Sequence, residues 1–333
     1  ALAPTAHPQE PRLANISARA LSGTGPSVLT LGFVIGPGPN KPVLIRAVGP
    51  TLTEKAEAFL TASAAAKKPF FLYFASQAPH RNCTPPDFAR GKSQAGVRGD
   101  MVYEFDWAVG RVLAKLDALG LAHNTLVIVT SDNGAVLKSD EGDDFGHKAN
   151  GDLRGAKGGL FEGGHRVPFL VRWPGRAPAG KTNASLVVLT DLLATFAELA
   201  QAKVTTTHSG ESLVPTLLGS KEARRAPLYR EFPGYGEQQA IWEGKWKAIR
   251  TEMGKQMTAK GKVTTQLYDL EADPAESNDL AAQFPEVVKD LETKMAANHV
   301  PDERFPLAGV DAESGPQAKA KAKAAAKKQA TAK

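Results

Sequence analysis

A short apolar stretch that ends in a polar pair constrains the fold of this chain most strongly. Residues Thr125–Thr130 (TLVIVT) are apolar or β-branched and show no helical period, which predicts a buried strand of a mostly parallel sheet. Asp132 and Asn133 follow at its carboxyl end, the edge at which open α/β sheets bind ligands. A carboxylate beside an amide oxygen suits Ca²⁺ or Mg²⁺, and the alternative is an ordinary Asp-Asn-Gly turn.

The residues before this strand predict a helix that leads into it. Apolar side chains recur at helical spacing over Asp100–Leu119, and Gly120 can close the last turn. Phe70–Ala75 (FFLYFA) is an earlier strand candidate, and His80 lies just past its end. Strand, helix and strand in this order form a βαβ unit, which implies a parallel sheet with a right-handed crossover.

A glycine-rich segment with one central lysine follows the polar pair. Five glycines occur in the ten positions 155–164, which predicts backbone that turns tightly or approaches a ligand. The ammonium of Lys157 can meet an oxyanion there, and the alternative is a solvated lysine in a loop. Val167–Trp173 (VPFLVRW) supplies a further strand candidate.

The pattern at the two ends of the chain predicts separate segments. Residues 1–52 contain two strand-like runs, Val28–Ile35 and Pro42–Val48, joined by a Gly/Pro-rich turn, which predicts a β-hairpin module. An alanine-rich helix is predicted over Thr53–Lys68 and opens the main body, residues 53–205. The final residues, 311–333, form a Lys/Ala tail that we expect to be disordered.

Residues 206–310 predict a small antiparallel sheet closed by a helix. Short aromatic runs repeat between Gly210 and Gln266, and Phe284–Met295 has the pattern of an amphipathic helix. Trp242 and Trp246 lie in these runs. We interpret them as core residues because of the area that tryptophan buries, with ligand stacking as the alternative.

Charge and cysteine content exclude several classes of function. The net charge is +6, but the tail alone holds six lysines and no acidic residue from Lys319 onward, so the body is near neutral. This argues against nucleic-acid binding, which needs a basic face on the fold. The single cysteine, Cys83, excludes an internal disulfide and a multi-cysteine zinc site. No apolar run approaches the roughly 20 residues that span a bilayer.

Several motifs in uninterrupted order from about residue 53 to 299 resemble the type I sulfatases, notably the arylsulfatase A-like branch. They are Ala78–His80 (APH), Gly91–Leu113, Thr130–Gly134 (TSDNG), Leu153–Gly175 and the C-terminal signature Gln266–Ala281. The resemblance implies an α/β, alkaline-phosphatase-like sandwich with an incomplete mixed or parallel sheet between helices. It also implies that residues 53–205 are part of the catalytic domain and that residues 206–310 are the C-terminal subdomain.

The resemblance also implies roles for individual residues. Asp132 and Asn133 are implied ligands of an active-site Ca²⁺, and Lys157 is implied to contact the sulfate group. His80 is implied to face the ester oxygen of the leaving group, where an imidazole can supply a proton. A divalent cation and an ammonium would neutralise charge on the sulfuryl group. His147, just before the glycine-rich segment, is a further candidate for the lining of this pocket.

Other parts of the family pattern are missing from this sequence. The family's nucleophile is a formylglycine made from the Cys of a Cys-x-Pro-x-Arg motif that precedes the His80 motif. Cys83 follows His80 instead, and Asp87 stands at the Arg position, so we interpret Cys83 as a coincidence. Two metal ligands alone are too few for Ca²⁺, which takes about six to eight oxygens. We expect weak Ca²⁺ binding, no turnover by this chain, and an exposed sheet edge that favours self-association.

Two hypotheses of function follow from these observations. The first is sulfuric ester hydrolysis on an aryl or carbohydrate sulfate, and the alternative is a non-catalytic protein or relic that binds sulfated polysaccharide. A phosphatase or phosphodiesterase of the same superfamily is a third option that the Lys157 loop disfavours. Residues 1–52 resemble a β module of large secreted bacterial proteins, and Ala1-Leu2-Ala3 fits the end of a signal peptide. We therefore expect a periplasmic or extracellular location.

Overall fold

A computed structural model of the chain describes residues 13–18, 31–35, 50–137, 145–220, 226–302 and 304–311. The chain divides into two compact units, unit 1 (Ala1–Val129, Ser139–His147 and Leu170–Arg224) and unit 2 (Thr130–Lys138, Lys148–Phe169 and Arg225–Lys333). The elements in chain order are β1 (Leu13–Ala18), β2 (Leu31–Ile35), α1 (Pro50–Ala66), α2 (Gly96–Ala118), a 3₁₀ turn (Ala122–Asn124), β3 (Val127–Thr130), α3 (Glu162–His165), β4 (Phe169–Arg172), α4 (Asp191–Leu199), α5 (Val214–Leu217), β5 (Leu228–Phe232), β6 (Gln238–Glu243), β7 (Trp246–Arg250), α6 (Met253–Lys260), β8 (Gln266–Asp269) and α7 (Pro285–Asn298).

Unit 1 is built on two packed helices and a short sheet. Helix α1 packs against α2, and the buried side chains Leu60 and Leu116 come from these two helices. Arg111 of α2 adds a two-pronged ion pair to Glu57 of α1, with both nitrogen-oxygen distances at 2.7 Å. Strands β3 and β4 form a two-stranded sheet among the described residues. The predicted helices over 53–68 and 100–119 and the strand over 125–130 are therefore confirmed, with shifted ends.

One strand prediction for the N-terminal part is wrong. Phe74 makes only an isolated bridge, so the predicted strand Phe70–Ala75 does not form. Its aromatic rings pack on helices instead: Phe70 lies 5.9 Å from Phe59, and Phe71 lies 5.4 Å from Phe196, centroid to centroid. Tertiary packing of the rings thus overrides the strand propensity of the run.

The predicted hairpin module falls only partly on described residues. Among the described residues, strand β2 pairs antiparallel with β1, and the predicted partner of β2, Pro42–Val48, lies outside them. The sequence pattern favoured the run closest in the chain, and the earlier run Leu13–Ala18 was not recognised as a strand.

Unit 2 contains a four-stranded antiparallel sheet in the order β5-β6-β7-β8. On one face, which we call the apolar face, Ile241, Ala248 and Leu267 pack against Leu291 and Met295 of α7. The predicted sheet and closing helix are thus confirmed, because alternating apolar residues in the strands meet the apolar side of an amphipathic helix.

The opposite face of this sheet is equally buried but differs in chemistry. Trp242, Lys247 and Tyr268 are neighbours across β6, β7 and β8, and we call their side the ionic face. All three side chains are buried. Residues 154–165, which include the glycine-rich segment and α3, cover this face through Arg154 and Glu162. The interpretation of Trp242 as a core residue is therefore confirmed.

The length and hydropathy of the helices bear on membrane insertion. Among the helices in the described part of the chain, none combines the length and the low polarity needed to cross a membrane.

Candidate functional site

The polar turn after β3 is built around a close approach of two backbones. Asp132 is exposed and Asn133 is half-buried. The N–H of Gly134 donates to the carbonyl of Gly164 at 2.8 Å, and a Cβ on Gly134 would stand 1.9 Å from the carbonyl oxygen of Gly163. Only glycine fits at position 134, so the turn is fixed against the end of the glycine-rich segment.

Ala135, the residue after Gly134, joins the turn to the Lys157 backbone. The N–H of Lys157 donates to the carbonyl of Ala135 at 3.0 Å. The side chain of Asn150 bridges the polar turn and the glycine-rich segment. Its Oδ1 accepts from the N–H of Ala135 at 2.9 Å, and its Nδ2 donates to the carbonyl of Gly155 at 3.1 Å. The backbone segments of Asp132, Asn133 and Lys157, three of the predicted site residues, are thereby tied into one structure within unit 2.

The glycines allow the backbone of the glycine-rich segment to pack closely against itself. A Cβ on Gly163 would lie 2.5 Å from the carbonyl oxygen of Gly155, and one on Gly164 would lie 2.1 Å from that of Gly159. The N–H of Gly163 donates to Arg154 at 2.7 Å, which closes the segment into a compact loop. The prediction of tightly turning backbone is confirmed, and the loop presents Lys157 from a rigid base.

Sequence reasoning missed a buried ionic cluster beneath this loop. Lys247 of β7 places its Nζ 2.6 Å from Glu276 and 3.0 Å from Glu162, and the side chains are 0%, 0% and 7% exposed. Glu162 also accepts from Trp242 Nε1 at 3.1 Å, while Glu276 accepts from the N–H of Glu162 at 2.6 Å. We call Glu162, Lys247 and Glu276 the Lys247 cluster. Buried charges persist only when they are paired and hydrogen-bonded in this way.

The charge balance of the Lys247 cluster follows from its surroundings. Burial alone would raise the pKa of Glu162, but the attraction of Lys247 and His165 and the hydrogen bonds from Lys247 and Trp242 together outweigh it and hold that pKa below its usual value. Burial raises the pKa of Glu276, and the attraction of Lys247 offsets this only in part. Burial and the repulsion of Lys247 lower the pKa of His165 to about 4, so this imidazole is neutral at pH 7. The buried ammonium of Lys247 is therefore paired with both carboxylates, of which Glu276 is the nearer.

Two further side chains attach the loop to the sheet. Arg154 donates to the hydroxyl of Tyr268 and to the carbonyl of Glu276, each at 3.0 Å, and its guanidinium lies 3.9 Å from the ring centroid of Phe161. Gln238 of β6 accepts from the N–H of Leu160 at 3.0 Å. The C-terminal sheet thus supports the loop of Lys157 along most of its length.

The remaining candidates lie in unit 1 and are described there. His80 is exposed, its Nδ1 lies 2.7 Å from the carbonyl oxygen of Arg81, and its N–H donates to Gln77 at 2.7 Å. His147 is also exposed. Cys83 is half-buried, and its Sγ lies 3.7 Å from the carbonyl oxygen of Pro79. The roles of His80 and His147 stay predictions, as does the interpretation of Cys83.

The described residues do not by themselves fit a complete calcium site. Within the described ranges, no group of three or more His, Cys, Asp or Glu side chains is placed to hold a metal ion. Asp132 and Asn133 offer two adjacent oxygen-bearing side chains, whereas Ca²⁺ takes about six to eight oxygen ligands. No chemical step is therefore derived through a metal.

Two family models match the chain and overlap over residues 156–202. Residues 50–202 match the sulfatase model, and residues 156–300 match the model of the C-terminal part of N-sulphoglucosamine sulphohydrolase. The chain is 36% identical to the N-acetylgalactosamine-6-O-sulfatase of Bacteroides thetaiotaomicron over 72% of this chain and 48% of that protein. It is 35% identical to human arylsulfatase A over 67% of this chain and 47% of that protein. The chain thus spans about half the length of these curated relatives.

Solved structures agree with this assignment of the fold. A Bacteroides thetaiotaomicron protein designated BT33336S-sulf, from work on glycosaminoglycan metabolism, shares 34% identity and a TM-score of 0.64, with 74% of this chain and 53% of that chain covered. Ps i-CgsB, solved in complex with k-i-k-neocarrahexaose, shares 28% identity and a TM-score of 0.64 over 80% of this chain and 57% of that chain. The predicted α/β fold with a small C-terminal sheet is confirmed.

Proposed function

Residues 50–300 belong to the type I sulfatase family, and we propose from this membership that the chain serves the hydrolysis of sulfate monoesters. Its own contribution in this proposal is recognition of the sulfate group by Lys157, beside Asp132 and Asn133. The carrying observation is the pair of backbone bonds, Gly134 to Gly164 and Lys157 to Ala135, that joins these residues in unit 2.

The chemistry of the two sides of this site is complementary. The ammonium of Lys157 would balance charge on the sulfuryl oxygens, and it gains strength where water is excluded. The carboxylate of Asp132 would repel a sulfate unless a cation lay between them, so the pair Asp132 and Asn133 would supply two ligands of a Ca²⁺. By the same family resemblance, we propose that His80 protonates the leaving oxygen.

The nucleophile is the part of the reaction that this sequence does not encode. Its single cysteine, Cys83, is followed by Asp87 where the family's formylglycine motif has Arg. Covalent catalysis lacks its first step without that group. We therefore propose that this chain binds the ester and does not turn it over by itself.

The substrate class follows from the relatives. The Bacteroides relative is a carbohydrate sulfatase by name, and Ps i-CgsB was solved with a neocarrahexaose. A sulfated carbohydrate is accordingly the substrate class that we propose, with an aryl sulfate as the simplest synthetic probe.

Binding and turnover of the purified full chain test this proposal separately. Calorimetry with inorganic sulfate in the presence of Ca²⁺ should detect binding that Lys157→Ala weakens roughly tenfold, the loss of one charge-assisted contact. Lys148→Ala is the matched control, because Lys148 is an exposed lysine of the same unit that pairs with Asp152 at 3.0 Å. Unchanged affinity in Lys157→Ala would refute the proposed role of Lys157. Release of methylumbelliferone from its sulfate by the wild-type chain would refute the proposed lack of turnover.

A second candidate function is a non-catalytic protein that binds sulfated polysaccharide, and the missing nucleophile motif favours it. The two candidates differ in one measurement. When the chain is supplied with a formylglycine-bearing sulfatase segment, turnover supports the enzyme, and binding of a sulfated polysaccharide without turnover supports the second candidate.

We also propose that the chain works in the periplasm or outside the cell and that it self-associates. The similarity of residues 1–52 to a module of secreted proteins supports the location, and the two-stranded extent of the β3-β4 sheet supports association through its edge. Fractionation of the native host tests the location. Light scattering of the purified chain tests the association, and a monomer at all concentrations would refute it.

A further inference from the structure

An exposed tyrosine in unit 2 stands beside the loop of Lys157. Tyr235 lies in the turn between β5 and β6 and is 72% exposed. Its φ is +51°, and Gly236 and Glu237 follow with φ values of +90° and +63°. A bulky side chain rarely occupies this left-handed region. Neither burial nor backbone preference therefore accounts for an aromatic ring at this place.

The ring is nevertheless held in a defined position. Three ring carbons of Tyr235 lie 3.0 Å from the point where a Cβ on Gly158 would stand, so a side chain at 158 would displace the ring, and the φ of +90° at Gly158 also favours glycine. Phe232 stacks on Tyr235 with centroids 5.6 Å apart and an interplanar angle of 24°. Gln238 anchors the facing backbone by donating to the carbonyl of Gly158 at 2.9 Å.

The position of the ring relative to Lys157 gives it a chemical meaning. Gly158 directly follows Lys157, and consecutive Cα atoms lie about 3.8 Å apart. The backbone of Lys157 and an aromatic ring of a residue that is 72% exposed thus share one small region of unit 2. A sulfate ester whose alcohol is part of a ring needs this combination, because the charged group requires a cation and the ring requires an apolar surface.

We propose that Tyr235, backed by Phe232, contacts the ring of the sulfated alcohol and so makes the site prefer ring-bearing esters over short alkyl sulfates. The proposal rests on the proposed function, in which Lys157 binds the sulfate. A favourable aromatic contact corresponds to a preference of roughly three- to tenfold in affinity.

A purely structural role for Tyr235 makes different demands. If the ring only shielded the Gly158 backbone, its removal would disturb the loop of Lys157 and weaken all anions equally. A role in specificity weakens ring-bearing anions and leaves inorganic sulfate unaffected.

The test compares two probes on the full chain, inorganic sulfate and methylumbelliferyl sulfate, by calorimetry with Ca²⁺ present. Tyr235→Asn is the main variant, since Asn adopts the left-handed conformation more readily than other residues. Tyr235→Phe keeps the ring. Phe284→Asn is the control, because it removes another exposed ring of unit 2, one that lies 5.1 Å from Trp246.

We expect Tyr235→Asn to weaken methylumbelliferyl sulfate roughly three- to tenfold with the affinity for inorganic sulfate unchanged, while Tyr235→Phe and Phe284→Asn match the wild type. Equal weakening of both probes, or no change in either, would overturn the proposal. If Lys157→Ala abolishes sulfate binding while Tyr235→Asn is silent, only the role of Tyr235 fails. If the wild type binds neither probe, the proposed function fails with it.

Discussion

Both faces of the C-terminal sheet are buried, but their chemistry is opposite. The apolar face packs Ile241 and Leu267 against α7, whereas the ionic face packs Lys247 against Glu162 beneath the loop of Lys157. Apolar packing is tolerant of direction, but paired buried charges demand defined positions. The difference indicates that the apolar face supplies stability and that the ionic face positions the loop.

The largest expected effect comes from breaking the Lys247 cluster. Lys247→Met keeps the aliphatic stem and leaves Glu162 and Glu276 buried without their cation. We expect the free energy of unfolding to fall by about 3–5 kcal/mol, measured by urea denaturation. Lys245→Met is the matched control, because Lys245 pairs with Asp269 at 2.6 Å with an exposed side chain, and it should lose less than about 1 kcal/mol. Equal losses would contradict a special role for the cluster.

A substitution on the apolar face should lower the free energy of unfolding by a comparable amount but disturb the loop of Lys157 less. Leu291→Ala empties a fully buried position of α7 and should cost about 2–5 kcal/mol of unfolding free energy. Native-state hydrogen exchange at the Lys157 amide, which bonds to Ala135, separates the two faces. We expect Lys247→Met to speed this exchange more than Leu291→Ala does at matched global stability. The reverse order would refute the positioning role of the ionic face.

A third prediction concerns the contact between the polar turn and the glycine-rich loop. Gly134→Ala places a Cβ 1.9 Å from the carbonyl oxygen of Gly163, so the two backbones must separate. We expect a loss of about 1–3 kcal/mol and shifted amide resonances at Lys157. Gly110→Ala in α2 is the control, because its Cβ meets nothing within 4 Å, and it should stabilise the chain by about 0.5–1 kcal/mol. An unchanged Lys157 resonance would show that the turn and loop are independent.

The sequence pattern predicts the elements whose period is strong and local. Helix α2 and the sheet of β5 to β8 follow from apolar spacing, and the polar turn at Asp132 follows from its place at a strand end. The run Phe70–Ala75 misleads because its rings find partners on helices rather than on a strand. Local patterns do not contain that choice of partner.

The buried cluster could not be predicted because its members are far apart in the chain. Glu162 and Lys247 are 85 residues apart, and a glutamate or lysine alone is most often a surface residue. One signal was present in the strands. Lys247 lies on the opposite face of β7 from the buried Ala248. Its cross-strand neighbour is Trp242 of β6, whose indole N–H needs a hydrogen-bond acceptor. This pair indicates that the second face is buried and polar.

The smallest expected effect is a pH-dependent contact at the rim of the sheet. His299 follows α7, its Nδ1 donates to Glu231 of β5 at 2.7 Å, and its Nε2 donates to Asp311 at 2.9 Å. Burial opposes the charged imidazolium, but the hydrogen bonds to Asp311 and Glu231 outweigh it and raise the pKa of His299 above its ordinary value.

Because the folded-state pKa of His299 is the higher one, its stabilisation is complete below the ordinary value near 6.5 and is lost as the pH rises through the folded-state pKa. Urea midpoints measured between about pH 5 and pH 9 should therefore fall at the alkaline end in the wild type. His299→Gln should flatten this part of the profile, whereas His208→Gln, at an exposed histidine, should leave it intact. If the urea midpoints of His299→Gln keep the alkaline slope of the wild type, the pH dependence belongs to a group other than His299.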